Sequence, residues 1–382
     1  MPEIYIHPVE SKKDLMRFIK FPWKVYRNDP YWVPPLISER KAFLNPAKNP
    51  FFKHSDVTLF LAERGKETAG TIAAIVDHNY NEYHQEKCSW FGLFETIEDY
   101  DVAEKLLDTA RHWGQERGME TLRGPVNLST NYEYSLLVEG FDSSPVILMT
   151  YNPRYYVDFI ERFGFRTART LYAYIADWSF YGGGPHGLPQ ELVRVANRVR
   201  RKEGILVRNA RIKDFENEIE RVKKVYNSAW SKLWGFVPMT DAEFDHMASS
   251  LKAILDEDLI FVAEVDGEPV GFSLALPDLN QALRHIRDGR LFPFGIFKFL
   301  WYRRKIDTLR LFAMGIIEEY RGRGVDSLFY LETAYATKRK GYKRVEMSLI
   351  LEDNEMMNRI LQRIGARIYK KYKIYELTLK EA

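Results

Sequence analysis

The chain repeats itself, and an internal duplication constrains the fold more than any single motif does. Ala62 to Gly70 aligns with Ala263 to Gly271 at an offset of 201 residues. Each stretch reads as a hairpin: an apolar strand, a Gly-containing turn, a second strand. Val102 to Gly118 aligns with Val325 to Gly341, 17 residues in each case, at an offset of 223. In the first copy Val102, Ala103, Leu106, Leu107, Ala110 and Trp113 fall at the spacing of one buried helical face. Both copies end in basic residues and Gly, a helix C-terminal signal. Asn152 to Phe165 resembles Asn354 to Ala366, a short helix stopped by Gly164 or Gly365 and then a last strand. Three matches in the same order predict two similar halves.

Each half reads as strand, helix, two or three antiparallel strands, a strand ending in a turn, a long helix, a strand, a helix and a strand. The later parallel strands need helical crossovers between them. The expected fold class is therefore α/β, of the α+β kind, with a mixed sheet in each half. Tyr181-Gly182-Gly183-Gly184-Pro185-His186-Gly187-Leu188-Pro189 reads as a linker by composition. The expected organisation is an N-terminal domain over 1–178, a linker and connecting helix over 179–205, and a C-terminal domain over 206–382.

Composition narrows the function classes. A length of 382 residues with 46% hydrophobic content supports two packed domains. The net charge of +3 gives no global reason to expect nucleic acid. A single cysteine, Cys88, excludes an internal disulfide and any multi-cysteine zinc site, and fits a reducing cytosol. No metal is expected. No signal peptide is apparent, and no stretch reaches the ~20 apolar residues of a spanning helix. The expected location is cytoplasmic.

The chemistry is concentrated at Tyr320-Arg321-Gly322-Arg323-Gly324-Val325-Asp326, between an apolar strand (Leu309 to Ile317) and a helical pattern running to Lys340. Such a turn places unpaired backbone N–H groups at the positive end of a helix dipole. Glycine lets the backbone approach an anion, and Arg321 and Arg323 add charge-assisted donors. A phosphate or pyrophosphate suits the site. Asp326 opposes it with one carboxylate.

That order of elements, with Arg321-Gly322-Arg323-Gly324 between strand and helix, resembles the GNAT superfamily of acyl-CoA-dependent N-acyltransferases. The second half carries the resemblance most clearly. Arg321 and Gly324 match the family's turn pattern and Asp326 does not. The resemblance implies two tandem GNAT-like folds, the first degenerate in its cofactor turn. It implies that N–H groups of Arg321, Gly322, Arg323, Gly324, Val325 and Asp326 hold the CoA pyrophosphate. It places the pantetheine arm along Ala313, Met314, Gly315 and Ile316. At the 223 offset the first half carries Glu98-Asp99-Tyr100-Asp101, three carboxylates that stabilise a helix N-terminus and repel pyrophosphate. One CoA site per chain follows, in the second half. The family's usual tyrosine acid, four residues before the Gly that ends the last helix, is absent. Leu361 and Ile160 stand there. Glu318 and Glu319, at the end of the cofactor strand, are candidates for a base, and Asn354 opens the last helix.

Two segments lack counterparts in the other half. The first runs from Arg123 to Pro153, about 30 residues where a tight link is expected. Loops that long are functional or disordered as a rule. Its Asn127, Asn131, Glu133 and Tyr134 suit directed hydrogen bonds to an amine or hydroxyl substrate, or to one another. His54 is a weaker candidate. The second, 291–305, is densely aromatic and ends in Arg303-Arg304-Lys305. It suits peripheral contact with a membrane, a wall for a long acyl chain, or a buried helix packing the halves. With this insert, the chain resembles a bacterial group of GNAT-like proteins that includes bacterial ceramide synthase-like enzymes, which move a long acyl group onto a sphingoid amine. The implied function is transfer of an acetyl or longer acyl group from acyl-CoA to a small-molecule or lipid-like primary amine, in a pocket between the halves. An aminoacyl-tRNA-dependent transferase and a non-catalytic CoA- or lipid-binding module are the alternatives.

Overall fold

The computed structural model describes residues 2–177, 190–202 and 204–379. The stretch 181–189, expected as a linker, lies outside the described residues. The chain forms two compact units, Met1–Thr170 with Ala282–Tyr302 and Lys370–Ala382, and Leu171–Gln281 with Arg303–Tyr369.

The N-terminal unit begins with β1 (Ile4–Pro8), α1 (Lys12–Lys20), α2 (Pro22–Val25), α3 (Ile37–Phe43), β2 (Ser55–Arg64), β3 (Glu67–Asp77) and α4 (His78–His84). It continues through β4 (Cys88–Thr96), α5 (Tyr100–Gln115), β5 (Thr121–Gly124), β6 (Leu136–Glu139) and α6 (Tyr155–Phe163). Next come β7 (Arg166–Asp177), α7 (Gln190–Lys202), β8 (Leu206–Asn209), α8 (Phe215–Trp230), α9 (Asp241–Lys252), β9 (Ile260–Val265) and β10 (Glu268–Pro277). The last elements are α10 (Asn280–Leu283), α11 (Gly295–Arg303), β11 (Thr308–Ile316), α12 (Val325–Arg339), β12 (Arg344–Leu351), α13 (Glu355–Arg363) and β13 (Arg367–Thr378).

The repeat is visible in the ladders. The β2–β3 hairpin closes at Arg64↔Glu67 and the β9–β10 hairpin at Val265↔Glu268, the same pair 201 residues on. Asp266 and Gly267 both have positive φ, 51° and 84°, as a two-residue hairpin loop requires. The N-terminal unit's strands run β1-β2-β3-β4-β5-β13, antiparallel except for β4 beside β5. The C-terminal unit's run β8-β9-β10-β11-β12-β7, antiparallel except for β11 beside β12. The helices α5 and α12 supply the crossovers that parallel neighbours need.

The compact units cut across the contiguous halves that the repeat implies, because each half gives its last strand to the other's sheet. Within the N-terminal unit, Tyr375 pairs with Gly124 and Thr378 with Thr121. Within the C-terminal unit, Leu171 pairs with Leu351 and Asp177 with Arg344. The segment before α11 is also anchored in the N-terminal unit. Trp23 Nε1 donates to the Arg287 carbonyl at 2.7 Å, and Ile37 N–H to that of Gly289 at 3.0 Å.

Each unit has its own core. In the first, α5 buries Val102, Ala103, Leu106, Leu107, Ala110 and Trp113 against β3, β4 and α6, the face expected from the spacing. Fully burying Leu106 or Leu107 stabilises by roughly 1.5–3 kcal/mol each. In the second, α12 buries Val325, Leu328, Phe329 and Leu331 among Leu309, Leu311, Val345 and Leu361.

Candidate functional site

In the C-terminal unit, β11 and β12 run together only from Thr308↔Arg344 to Leu311↔Met347. Two irregularities separate them. The β10–β11 register shifts so that Phe312 bulges, and the β12–β7 register shifts between Met347 and Ile350. Beyond that point Ala313, Met314, Gly315 and Ile316 pair with β10 alone, and no described strand pairs with their other edge. Strand N–H and C=O groups on such an edge can bind an extended amide-containing chain.

The turn follows directly. Glu318–Tyr320 forms one 3₁₀ turn, Gly322 and Gly324 have φ of 72° and 85°, and α12 starts at Gly324 with no side-chain cap. Gly324 offers no side-chain acceptor to the first N–H groups, of which that of Ser327 turns back to the Gly324 carbonyl at 3.0 Å. A Cβ on Gly324 would lie 2.6 Å from the Val199 side chain of α7, whereas one on Gly322 would meet open space. Gly324 is thus required both by its conformation and by its neighbour.

The two arginines differ. Arg321 donates from Nε to the Ile316 carbonyl at 3.2 Å and from Nη2 to the Ala229 carbonyl, pinning the turn to β11 and α8. The exposed Arg323 guanidinium lies 4.9 Å from the Tyr320 ring centroid. Asp326 is half-buried in the first turn of α12. Burial raises its pKa, opposed by the N–H groups of Ser327 and of Asp326 itself. Its carboxyl takes up part of the helix terminus.

The expected catalytic residues stand at the turn and at the start of α13. Exposed Glu318 is ion-paired with Lys232 at 2.6 Å, and that hydrogen bond holds its carboxyl below the usual range, the wrong direction for a base. Glu319 is exposed in the same 3₁₀ turn. Asn354 caps α13, accepting from Met357 N–H at 3.2 Å. Leu361 is fully buried where the tyrosine acid was missed. An aromatic wall not foreseen from sequence stands against the same strand. Tyr226 and Trp230 of α8 lie 4.6 Å apart, Trp230 and Phe272 5.5 Å, and Tyr226 and Phe236 5.8 Å. The Trp230 ring would be 2.9 Å from a Cβ on Gly315, which explains the glycine in that strand.

A cleft of about 390 Å³ in this unit, lined among others by Leu255, Asp256, Asp258, Ile306 and Tyr342, lies at the opposite end of β11 and α12 from the turn. Size alone does not make it the site, because it touches neither the free strand edge nor the helix N-terminus.

The equivalent place in the N-terminal unit is filled. The β4–β5 ladder also stops early, at Trp90↔Arg123. There the 125–135 loop folds back onto β4. Val126 N–H donates to the Phe91 carbonyl at 2.8 Å, and Asn127 Oδ1 accepts from Leu93 N–H at 2.9 Å. The Val126 carbonyl would be 1.8 Å from a Cβ on Gly92. The helix terminus is filled too: Asp99 caps α5 through Asp101 N–H at 3.1 Å and is ion-paired with Arg64.

The four expected substrate residues are brought together in that loop, and two of them, Asn127 and Glu133, bond to each other. Asn127 Nδ2 donates to Glu133 at 3.2 Å, and Arg40 donates to both oxygens of Glu133 at 2.9 and 2.6 Å. Asn131 N–H donates to Ser129 Oγ at 3.3 Å, and Tyr134 bridges to Val126. Beside them is a group the sequence reading missed, Glu95 of β4. It accepts from Tyr156 at 2.7 Å and is within hydrogen-bonding reach of Tyr26. Burial pushes its carboxyl up to about 7, against the two tyrosines and Arg40. Cys88, by contrast, is buried with its thiol pushed up to about 12 by burial, which makes it inert. His54 Nδ1 is paired with Asp77 at 3.2 Å.

No family model matches the chain. It is 34% identical to "Bacterial ceramide synthase" of Caulobacter vibrioides (strain NA1000 / CB15N), over 99% of this chain and 98% of that one. It is likewise 34% identical to "Protein YghO" of Escherichia coli (strain K12), over 96% and 93% of the two chains. Among solved structures, a tandem GNAT protein from the clavulanic acid biosynthesis pathway covers 100% of both chains with a TM-score of 0.58 at 10% identity. A GCN5-related N-acetyltransferase from Sphaerobacter thermophilus covers 99% of this chain and 96% of its own, with a TM-score of 0.52 at 13% identity. The fold is that of a tandem GNAT protein.

Proposed function

The chain belongs to the family that includes bacterial ceramide synthase and protein YghO, and on that premise we propose that it is an acyl-CoA-dependent N-acyltransferase. The observation that carries this reading is the coincidence of a free strand edge with an uncapped glycine turn in the C-terminal unit. An acyl-CoA fits both. Its pyrophosphate takes the N–H groups from Arg323 onward, with Arg323 as the adaptable cation, and its pantetheine amides pair along Ala313 to Ile316. Arg321 positions the turn. Strand N–H groups polarise the thioester carbonyl, the amine attacks it directly and gives up a proton to water, and as the C–S bond breaks the thiolate leaves with a proton from water, Leu361 offering none.

The Caulobacter relative, a bacterial ceramide synthase by name, favours a long-chain amine as acceptor, and the aromatic wall of Tyr226, Trp230 and Phe272 suits a long acyl chain.

The test is release of free CoA thiol from acyl-CoAs of increasing length, each offered a panel of amines from ethanolamine to sphingoid bases. The expected result is turnover that rises with acyl length and requires a lipid-like amine. Acyl-CoA bound without turnover by any amine would favour the binding-module alternative, and no acyl-CoA binding would remove the assignment.

A further inference from the structure

The aromatic insert is not buried. Phe292 is 71% exposed, Phe294 76%, Phe297 69%, Leu300 50% and Trp301 61%. Along α11 the residues sort by helical spacing. Ile296 and Phe299 are partly covered, while Phe294, Phe297 and Trp301 follow one another at i, i+3 and i+7 on the outer side. A helix that is apolar on both faces and exposed on one presents a large apolar surface to solvent.

The support beneath it is fixed. Trp23 and Ile37 bind the Arg287 and Gly289 carbonyls, Arg287 donates back to the Trp32 carbonyl at 3.3 Å, and a Cβ on Gly289 would lie 2.5 Å from the Trp23 ring. His285 and Tyr302 stack at 3.5 Å between centroids, joining the two ends of the segment.

Charge says what covers the face. Residues 289–306 contain Arg290, Lys298, Arg303, Arg304 and Lys305 and no acidic residue, and all five cations are exposed. In a chain whose net charge is only +3, that is a strong local excess. Large aromatic side chains with interspersed cations match the interfacial layer of an anionic bilayer, where rings sit at headgroup depth and cations meet lipid phosphates. Among the described residues no helix is long and apolar enough to cross a membrane.

We propose that residues 291–305 dock this protein on an anionic lipid surface by inserting Phe292, Phe294, Phe297 and Trp301 among the headgroups. This deepens the lipid-amine reading, since it brings the enzyme to the phase that holds such an acceptor. The test contains neither acyl-CoA nor amine, so its failure and that of the transferase reading are distinguishable.

The full-length chain is floated with phosphatidylcholine vesicles, with and without phosphatidylglycerol, across a salt series. Strong, salt-sensitive binding to the anionic vesicles alone is expected. The variant Phe292→Ser/Phe294→Ser/Phe297→Ser/Trp301→Ser should weaken it at least about tenfold, with an unchanged melting temperature because the side chains are exposed. Lys298→Glu/Arg304→Glu should weaken it about fivefold or more per cation. The proposal is overturned by absent vesicle binding, by equal binding to neutral vesicles, or by variants that bind like the parent. It is also overturned if the parent is a dimer that the serine variant dissociates, which would make this face a protein interface.

Discussion

The two strand-to-helix junctions of this chain began as equivalent positions and ended as opposites. At 321–324, two positive-φ glycines lead into an uncapped helix, and the strand before it has one free edge. At 98–101, a helix capped by its own aspartate follows a strand whose freed edge is occupied by Val126 and Asn127. Both strands carry a register irregularity, and both parallel ladders stop after three or four pairs. Duplication preserved the splay. What differs is whether the chain itself supplies the groups that fill it. In the N-terminal unit, loop atoms occupy the strand edge that the C-terminal unit leaves free.

The severest way to break the comparison is to remove the filling. Gly92→Ala places a methyl group 1.8 Å from the Val126 carbonyl, a backbone atom that cannot step aside locally. A loss of about 3–5 kcal/mol is expected, read as a fall in the denaturant midpoint. A near-neutral result would mean the loop is not held against β4. Gly324→Val attacks the opposite member, adding positive-φ strain and a clash with Val199. CoA affinity should fall at least about a hundredfold, equivalent to about 2.7 kcal/mol, in a calorimetric titration, while Gly92→Ala leaves the CoA affinity of its folded fraction unchanged.

Glu95 sharpens the comparison through pH. Its folded pKa, about 7, is raised above the ordinary carboxyl value of 4.5, so the folded state holds the proton more tightly. Its presence therefore lowers stability as pH rises from about 4.5 to about 7. Glu95→Gln should flatten that slope and be more stable than the parent at pH 8 by roughly 2–3 kcal/mol, with little difference at pH 4. Melting curves at the two pH values decide it, and an unchanged slope would place the carboxyl in solvent. The smallest effect belongs to Asp326→Asn. Removing one carboxylate beside the helix N-terminus should tighten CoA binding by about three- to tenfold. The parent should approach the variant as pH falls through the raised Asp326 pKa, because its carboxyl then loses its charge.

Much of the frame was legible in the sequence because it is local. Hairpins at Arg64–Glu67 and Val265–Glu268, the apolar face of α5 and the glycine turn all arise within a few residues of chain. The exchange of β7 and β13 was not legible. Alternation in Arg367–Thr378 predicts a strand and says nothing of its partner. Glu95 was hidden for a similar reason. It is one carboxylate in an apolar strand, and its environment comes from Tyr26, Arg40 and Tyr156, tens of residues away. Glu318 drew notice by standing next to the motif, but Lys232 decides its chemistry. The long loop was marked as special with ligand contacts and internal contacts both left open, and only the fold shows that its Asn127 answers β4. Aromatic density at 291–305 left burial and exposure open, and only packing separates them.

The central claim is that one junction binds acyl-CoA and the other binds the chain itself. Isothermal titration of the full-length protein with CoA counts sites directly. One CoA per chain, lost in Gly324→Val, is the predicted result. Two per chain, or one that survives Gly324→Val, would contradict it.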